Sequence, residues 1–298
     1  MVVWGVNFAI VKYMLERLGF GPFMFIRFVA LPVLAFALLA LVFRRSLERT
    51  WPRREDWPRF IACGLLGHTL HIAVVMYGMT LSTAFSSSLV LASGPLFTLF
   101  ILAALGAERL RARQIVGTLV AFAGIVVFLG NKFIGGLSNA GFGDLMLLSA
   151  AFMFALYTVI ARPLNDRYGP VIVFAYTLLI GAPPIVVFTL PAFLAAMAGE
   201  MSGGFTWGIV GGLFFTIFGS SFLGWLGWSW VNSVRGVART APFAYLMPPI
   251  AGVVAWLTLG EHFTWLKIGA AAVTMAGVAW AQFGGGAPRK ETAQPDSA

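Results

Sequence analysis

Apolar residues fill this chain in long runs, and polar or charged residues gather where one run gives way to the next. A helix crossing a hydrocarbon layer of ~30 Å needs about 20 mostly apolar residues. Ten runs fit, at roughly 1–15, 22–43, 59–79, 84–106, 113–129, 143–161, 170–192, 206–230, 237–259 and 264–283. The connections are short, and the longest polar one is Arg44–Arg59. The tail after Gly284 lacks the apolar residues to bury and is expected to be disordered. The first run is short, about 22 Å of helix, and no charged leader or small-residue cleavage site marks it as a signal peptide. The first helix is therefore expected to begin upstream of Met1.

Composition points the same way. Of the 298 residues, 59% are hydrophobic and 10% charged, where a soluble domain carries about 25% charged residues. The single cysteine, Cys63, excludes an internal disulfide framework and a cysteine-cluster metal site. A net charge of +9 would suit nucleic-acid binding if it formed one face. It does not. With the N-terminus cytoplasmic, 15 of the 20 Lys and Arg residues fall in the loops, tails or span ends of the inner side. Four, Lys12, Arg17, Lys132 and Lys267, fall outside, and Arg27 lies within a span. That is the positive-inside distribution of a membrane protein. It predicts both termini in the cytoplasm, a bacterial-type inner membrane location and no nucleic-acid partner.

A shift of 153 positions lays Pro95 on Pro248, Glu108 on Glu261, Ala123 on Ala276 and Gly124 on Gly277. The segment GPLFTLFILAALGAERL then matches MPPIAGVVAWLTLGEHF. Each half holds five spans, and an odd number makes like halves insert with opposite orientation. The predicted fold is an all-α polytopic membrane protein whose ten transmembrane helices form two inverted five-helix repeats around a central cavity. The first repeat covers 1–130 and the second 143–283, with a disordered cytoplasmic tail at 284–298. Inverted repeats around a midplane site are common in secondary transporters.

Several short signals occur in a fixed order. They are Trp4-Gly5 with Asn7, Arg27, the Ser86–Pro95 segment leading to Glu108-Arg109-Leu110, Gly143-Asp144, Pro248, and Gly260-Glu261. In that order and spacing the chain resembles the drug/metabolite transporter superfamily, EamA-like branch, over nearly its whole length. The resemblance implies ten helices around a cavity, alternating access, and transport of small metabolites, with amino-acid export as the expected activity. Two departures are the clipped first helix and His262, which stands where the first half has Arg109.

Polar side chains at membrane depth are costly and make the first functional candidates. His68 and His71 are spaced i, i+3 on one face of the third span. No mid-membrane carboxylate completes a metal site, so neither a metal nor another cofactor is expected. The same lack argues for a facilitator over a proton-coupled pump, although the two histidines could couple protons. Trp4, Asn7, Ser86, Ser87, Tyr157, Ser221, Trp225 and Tyr245 complete the expected substrate-binding set with His68 and His71. Rings give flat walls that attract ammonium groups, and hydroxyls and amides add hydrogen bonds without charge. Such a lining suits neutral or zwitterionic solutes. Arg27, about six residues into its span, reads as a snorkelling side chain.

Glycine and proline carry mechanical expectations. Cys63-x-x-x-Gly67, Gly208-x-x-x-Gly212 and Ser220-x-x-x-Gly224 permit close helix packing. Pro95 and Pro248 are expected to act as paired hinges, and Pro183-Pro184 and Pro242 as further bends. An intramembrane serine hydrolase using His68 or His71 with Ser93 is the alternative from another class, and it lacks a nucleophile-elbow motif. A scaffold or receptor is a third. The lipid bilayer and a small solute are the expected partners. The chain alone leaves monomer and homodimer equally open.

Overall fold

In the computed structural model of the protein, the described residues are 1–44, 50–106, 112–130, 138–199, 206–235 and 245–283. All the regular structure among them is helical. Helix α1 (Val2–Leu18) turns at Gly19 into α2 (Phe20–Val42). A 3₁₀ turn (Arg54–Asp56), α3 (Trp57–Cys63), a wide-turned π segment here called π1 (Gly64–Leu70) and α4 (His71–Leu81) run on as one rod. After it come α5 (Ala84–Leu91), α6 (Gly94–Ala104), α7 (Ala112–Gly130), α8 (Asn139–Tyr168) and α9 (Pro170–Ala198). A second composite rod consists of α10 (Trp207–Phe214), segment π2 (Phe215–Gly224) and α11 (Trp225–Arg235). Helices α12 (Met247–Leu259) and α13 (Trp265–Phe283) complete the fold.

Seven helical stretches among the described residues are long and apolar enough to cross a bilayer: 20–42, 54–81, 84–104, 112–130, 139–168, 170–198 and 207–228. Helices α1 and α12 are shorter, as is the apolar part of α13, Trp265–Ala281. Large apolar side chains such as Val33, Leu41, Val187 and Phe188 point outward, where lipid rather than water would meet them. The expected disordered tail, the Glu108-Arg109-Leu110 motif and Pro242 lie outside the described residues.

Local chemistry sets the helix ends. Thr83, Ser138 and Thr206 accept hydrogen bonds from the N–H groups of Ser86, Gly141 and Ile209, capping α5, α8 and α10. Gly19 (φ 75°) and Gly169 (φ 79°) take positive backbone angles that allow one-residue turns between helices. Pro95 and Pro248 occupy the first turns of α6 and α12, where a missing N–H costs nothing. Pro95 also follows the break at Ala92-Ser93 that divides its span.

Tight packing depends on small residues. Helices α7 and α13 meet through Gly117, Gly124 and Gly277. A Cβ at Gly277 would lie 2.4 Å from Ala121 N, and one at Gly117 2.4 Å from Ala281 N. Helix α9 meets π1 in the same way, since a Cβ on Gly181 would fall 2.4 Å from Gly64 O. Gly67 and Gly224 do something else: each leaves room for a ring, Tyr157 on Gly67 and Trp4 on Gly224.

Polar groups also tie the two ends of the bundle. At one end Arg167 pairs with Asp56 (2.7 Å) and Glu55 (3.0 Å), and the Tyr168 hydroxyl donates to Asp56 (2.6 Å). At the other, Glu261 accepts from the N–H groups of Ala84 (2.7 Å) and Phe85 (3.3 Å), and Ser82 donates to Asp144. Lys12 donates there to Met79 O and Thr80 O.

The glycine contacts generate a stability prediction. Gly277→Val drives a side chain into the Ala121 backbone and is expected to cost about 1–3 kcal/mol or more. Gly269→Val, on the same helix at a site with open space, serves as the control. Thermal unfolding in detergent should show a clear loss only for the first.

Candidate functional site

The two π segments form the centre of the site. Seven residues of π1 and ten of π2 wind more widely than an α-helix, and such turns often sit at functional places. Each carries a carbonyl that accepts a side-chain hydrogen bond, at positions 153 residues apart. Gly67 O accepts from His71 Nδ1 (3.2 Å), and Ser220 O accepts from Trp4 Nε1 (3.0 Å).

His68, at the heart of π1, is buried against α9. Its Nε2 lies 3.1 Å from Thr177 Oγ1. The Thr177 hydroxyl already donates to Val173 O (2.7 Å), so the His68 ring N–H is the donor and Thr177 the acceptor. The close approach at Gly181 makes this contact possible, and Thr69 strengthens it by donating to Gly181 O (2.7 Å). Around His68 stand the rings of Trp225 (5.5 Å between centroids), Tyr157 (5.8 Å) and Phe174 (6.1 Å). Trp225 also contacts Phe154, Tyr157 and Phe174 at 5.7–6.0 Å. Aromatic surfaces from α8, α9 and α11 thus converge on one histidine.

Beside this cluster lies a cavity of about 30 Å³, lined by Arg27, Phe28, Leu31, His68, Ile72, Phe174, Leu178, Ser221 and Trp225. It has room for water but not for an amino acid. A larger recess of about 80 Å³, among Leu99, Phe100, Ile115, Thr118 and Leu119, is almost wholly apolar and offers no comparable chemistry.

Arg27 corrects a sequence expectation. The side chain does not snorkel: it is 4% exposed and faces the cavity. Its Nη2 donates to Ser221 Oγ at 2.7 Å, and Nη1 lies 3.3 Å from Met76 Sδ. A helix position counted from a span's end does not reveal which face points inward.

Of the residues singled out in the sequence, His68, Tyr157, Ser221 and Trp225 come together here. His71 sits one turn away with its ring 5.2 Å from Phe154. Trp4 meets Trp228 at a tilt (5.8 Å between centroids, 55° between planes), and Asn7 Oδ1 is buried without a hydrogen-bond partner. Ser86 and Ser87 take part in the capped start of α5, where Ser87 Oγ donates to Thr83 O. Tyr245 packs with Ala92, Leu96, Ala121, Val278 and Ala281 in a separate cluster. Arg27, Phe154, Phe174 and Thr177 were absent from the expected binding set. Only Arg27 gave a signal, as a basic residue about six positions into its span.

The hydrolase alternative needs a histidine–serine pair. Ser93 Oγ donates instead to Val90 O (2.6 Å), while His68 and His71 pair with Thr177 and Gly67. Among the described residues no group of three or more His, Cys, Asp and Glu side chains could hold a metal ion.

Comparison with known proteins follows the same lines. The sequence profile described as "EamA-like transporter family" matches residues 1–130 and 141–282. A probable terminal-alkyne amino-acid exporter of Streptantibioticus cattleyicolor is 29% identical over 93% of this chain and 89% of its own length. A probable amino-acid metabolite efflux pump of Salmonella typhimurium is 25% identical over 93% of this chain and 90% of its own. An uncharacterised transporter of Archaeoglobus fulgidus is 23% identical over 92% and 93%. A protein of known crystal structure shares the fold at a TM-score of 0.62, with 19% identity and 94% of each chain covered.

Cysteine chemistry tests the cavity. Cys63 is fully buried, so a Cys63→Ala background allows a single reporter. Ser221→Cys in that background should react with a small water-soluble thiol reagent, whereas Val253→Cys, on an exposed apolar surface, should not. A Ser221→Cys thiol as inert as Cys63 would remove Ser221 from any aqueous path.

Proposed function

The chain belongs to the EamA-like transporter family and is a membrane transport protein rather than an enzyme; on that premise we propose that it moves small zwitterionic or neutral organic solutes by alternating access. Export of amino acids or related metabolites is the expected direction. Two relatives named as amino-acid or amino-acid-metabolite exporters support that reading. One observation carries it: a small ring-walled cavity, with Arg27, His68 and Ser221 as its polar lining, lies between helices of both family-matching segments. Its size, too small for an amino acid, suits an occluded state that must open toward one side or the other.

The ten-span, inverted arrangement is part of the proposal. Support comes from paired features: one-residue turns at Gly19 and Gly169, and π segments in both rods. Contacts are reciprocal too, with Gly124 against Thr274 and Ala270, and Gly277 against Ala121 and Gly117. The register between halves is 150 at Gly19/Gly169 and at Trp57/Trp207 but 153 at Pro95/Pro248. The three extra residues fit the greater length of π2. In this arrangement the Asp56–Arg167 end is cytoplasmic, by the positive-inside rule, and both termini lie on that side. Pro95 and Pro248, in the first turns of α6 and α12, then act as paired hinges.

Transport is facilitative in this reading, because among the described residues no carboxylate lines the cavity to relay protons. Purified protein in liposomes should exchange at least one amino acid, at a rate lowered about tenfold or more by Trp225→Ala. An imposed pH gradient should leave that rate nearly unchanged. Pro95→Ala should slow it while leaving binding intact. Absence of flux for every amino acid tested would defeat the reading, and strong dependence on the gradient would move the mechanism to proton coupling through His68.

A further inference from the structure

Arg27 is a charged group in the wrong company. A guanidinium offers five N–H donors, and its burial is costly unless it is paired with an anion and hydrogen-bonded. Here it meets a serine hydroxyl and a thioether, with its Cζ 5.2 Å from the Phe23 ring centroid. Its Nε has no partner. None of the ion pairs among the described residues includes it. The acidic side chains that are hydrogen-bonded lie at the two ends of the bundle. Asp144 is bound by Ser82, Glu261 by backbone N–H groups, and Glu55 and Asp56 by Arg167. The chain therefore holds a buried cation on the wall of this cavity, and among the described residues no acidic side chain pairs with it.

The geometry points to Arg27 as the anchor for a carboxylate on the transported solute. The inference rests on the reading of this cavity as the transport site, and it narrows the solute class to molecules carrying a carboxylate. The free Nε and the adjacent Nη edge have the fork geometry that holds a carboxylate through two parallel hydrogen bonds. Ser221 Oγ, the acceptor for Nη2, holds that edge, and a carboxylate would take its place. The remainder of the solute then lies against Phe174 and Trp225, with His68 beyond.

A comparison inside the chain sharpens this. Arg27 follows the turn glycine Gly19 by the same eight positions as Thr177 follows Gly169. Arg27 meets Ser221 of π2, and Thr177 meets His68 of π1; Ser221 and His68 are 153 positions apart. A polar contact between a long helix and a π segment is thus made at both places, with the donor on the long helix at Arg27 and on the π segment at His68, and the guanidinium brings the fixed charge. Such a cavity has one anion-accepting end. It would orient an amino acid rather than admit it in either direction.

The test is binding to the purified full-length protein in lipid nanodiscs, followed by thermal stabilisation. The probes are the proteinogenic L-amino acids and, for each that binds, its carboxamide and its decarboxylated amine. At least one amino acid should bind, with its amide and amine about tenfold or more weaker. Arg27→Gln should abolish the preference for acid over amide, and Arg27→Lys should restore part of it. If Arg27→Gln fails to fold, the acid–amide comparison on the unaltered protein decides alone. Equal binding of acid and amide, binding of no amino acid, or stabilisation by inorganic phosphate in place of any amino acid would overturn the assignment. The transport reading fails separately: flux absent from liposomes while an acid still binds selectively would sink transport and leave Arg27 as an anion site. Flux that treats acid and amide alike would do the reverse.

Discussion

Hydrocarbon cannot hydrogen-bond, and that single constraint organises the molecule. Every backbone N–H and C=O at membrane depth must find a partner inside the protein, which leaves helices or closed barrels, and the described residues take the helical solution. Side chains obey the same rule. Thr98, Thr158, Thr189, Thr258 and Thr274 each return a hydroxyl to a carbonyl one turn earlier in their own helix. Groups that cannot be satisfied so locally, the imidazole of His68 and the guanidinium of Arg27, are drawn to the interface between helices. Polarity is concentrated at the centre because it is excluded from the perimeter.

The π segments make that centre possible. A wide turn shifts the register of the side chains beyond it and gives a helix a local bulge. In π1 the result is His68 turned toward α9, with Gly67 leaving space for Tyr157. In π2 it is Ser221 turned toward Arg27, with Gly224 leaving space for Trp4. Glycine has different uses in one fold. At α7 and α13 it brings backbones together, and at the π segments it admits a ring.

Much of the fold was legible as pattern. Run length announced membrane helices, and the match of Pro95 with Pro248 and Gly124 with Gly277 announced repetition. His68 and Ser221 stood out because polar groups at depth are few, and the fold packs both near Trp225, one of many aromatic residues. Ser87 and Tyr245 show the limit. A serine at the start of a helix bonds its own backbone as readily as it lines a cavity, and a tyrosine near a helix end can fill a side cluster. Phe174 and Thr177 gave no warning, since each is an ordinary residue of an apolar helix until another helix places a histidine beside it.

Arg27 marks the division most clearly. Hydrophobicity, charge bias and repetition are properties of position along the chain, so the sequence by itself determined a helical membrane protein and the transporter family it resembles. Which way a residue faces depends on helix rotation, and rotation follows from packing between residues far apart in sequence. Arg27 and Ser221 are separated by 194 positions. Only the tertiary structure, through the bulge of π2 against α2, decided that a charge near one end of a span would point inward to the cavity rather than outward to the headgroups.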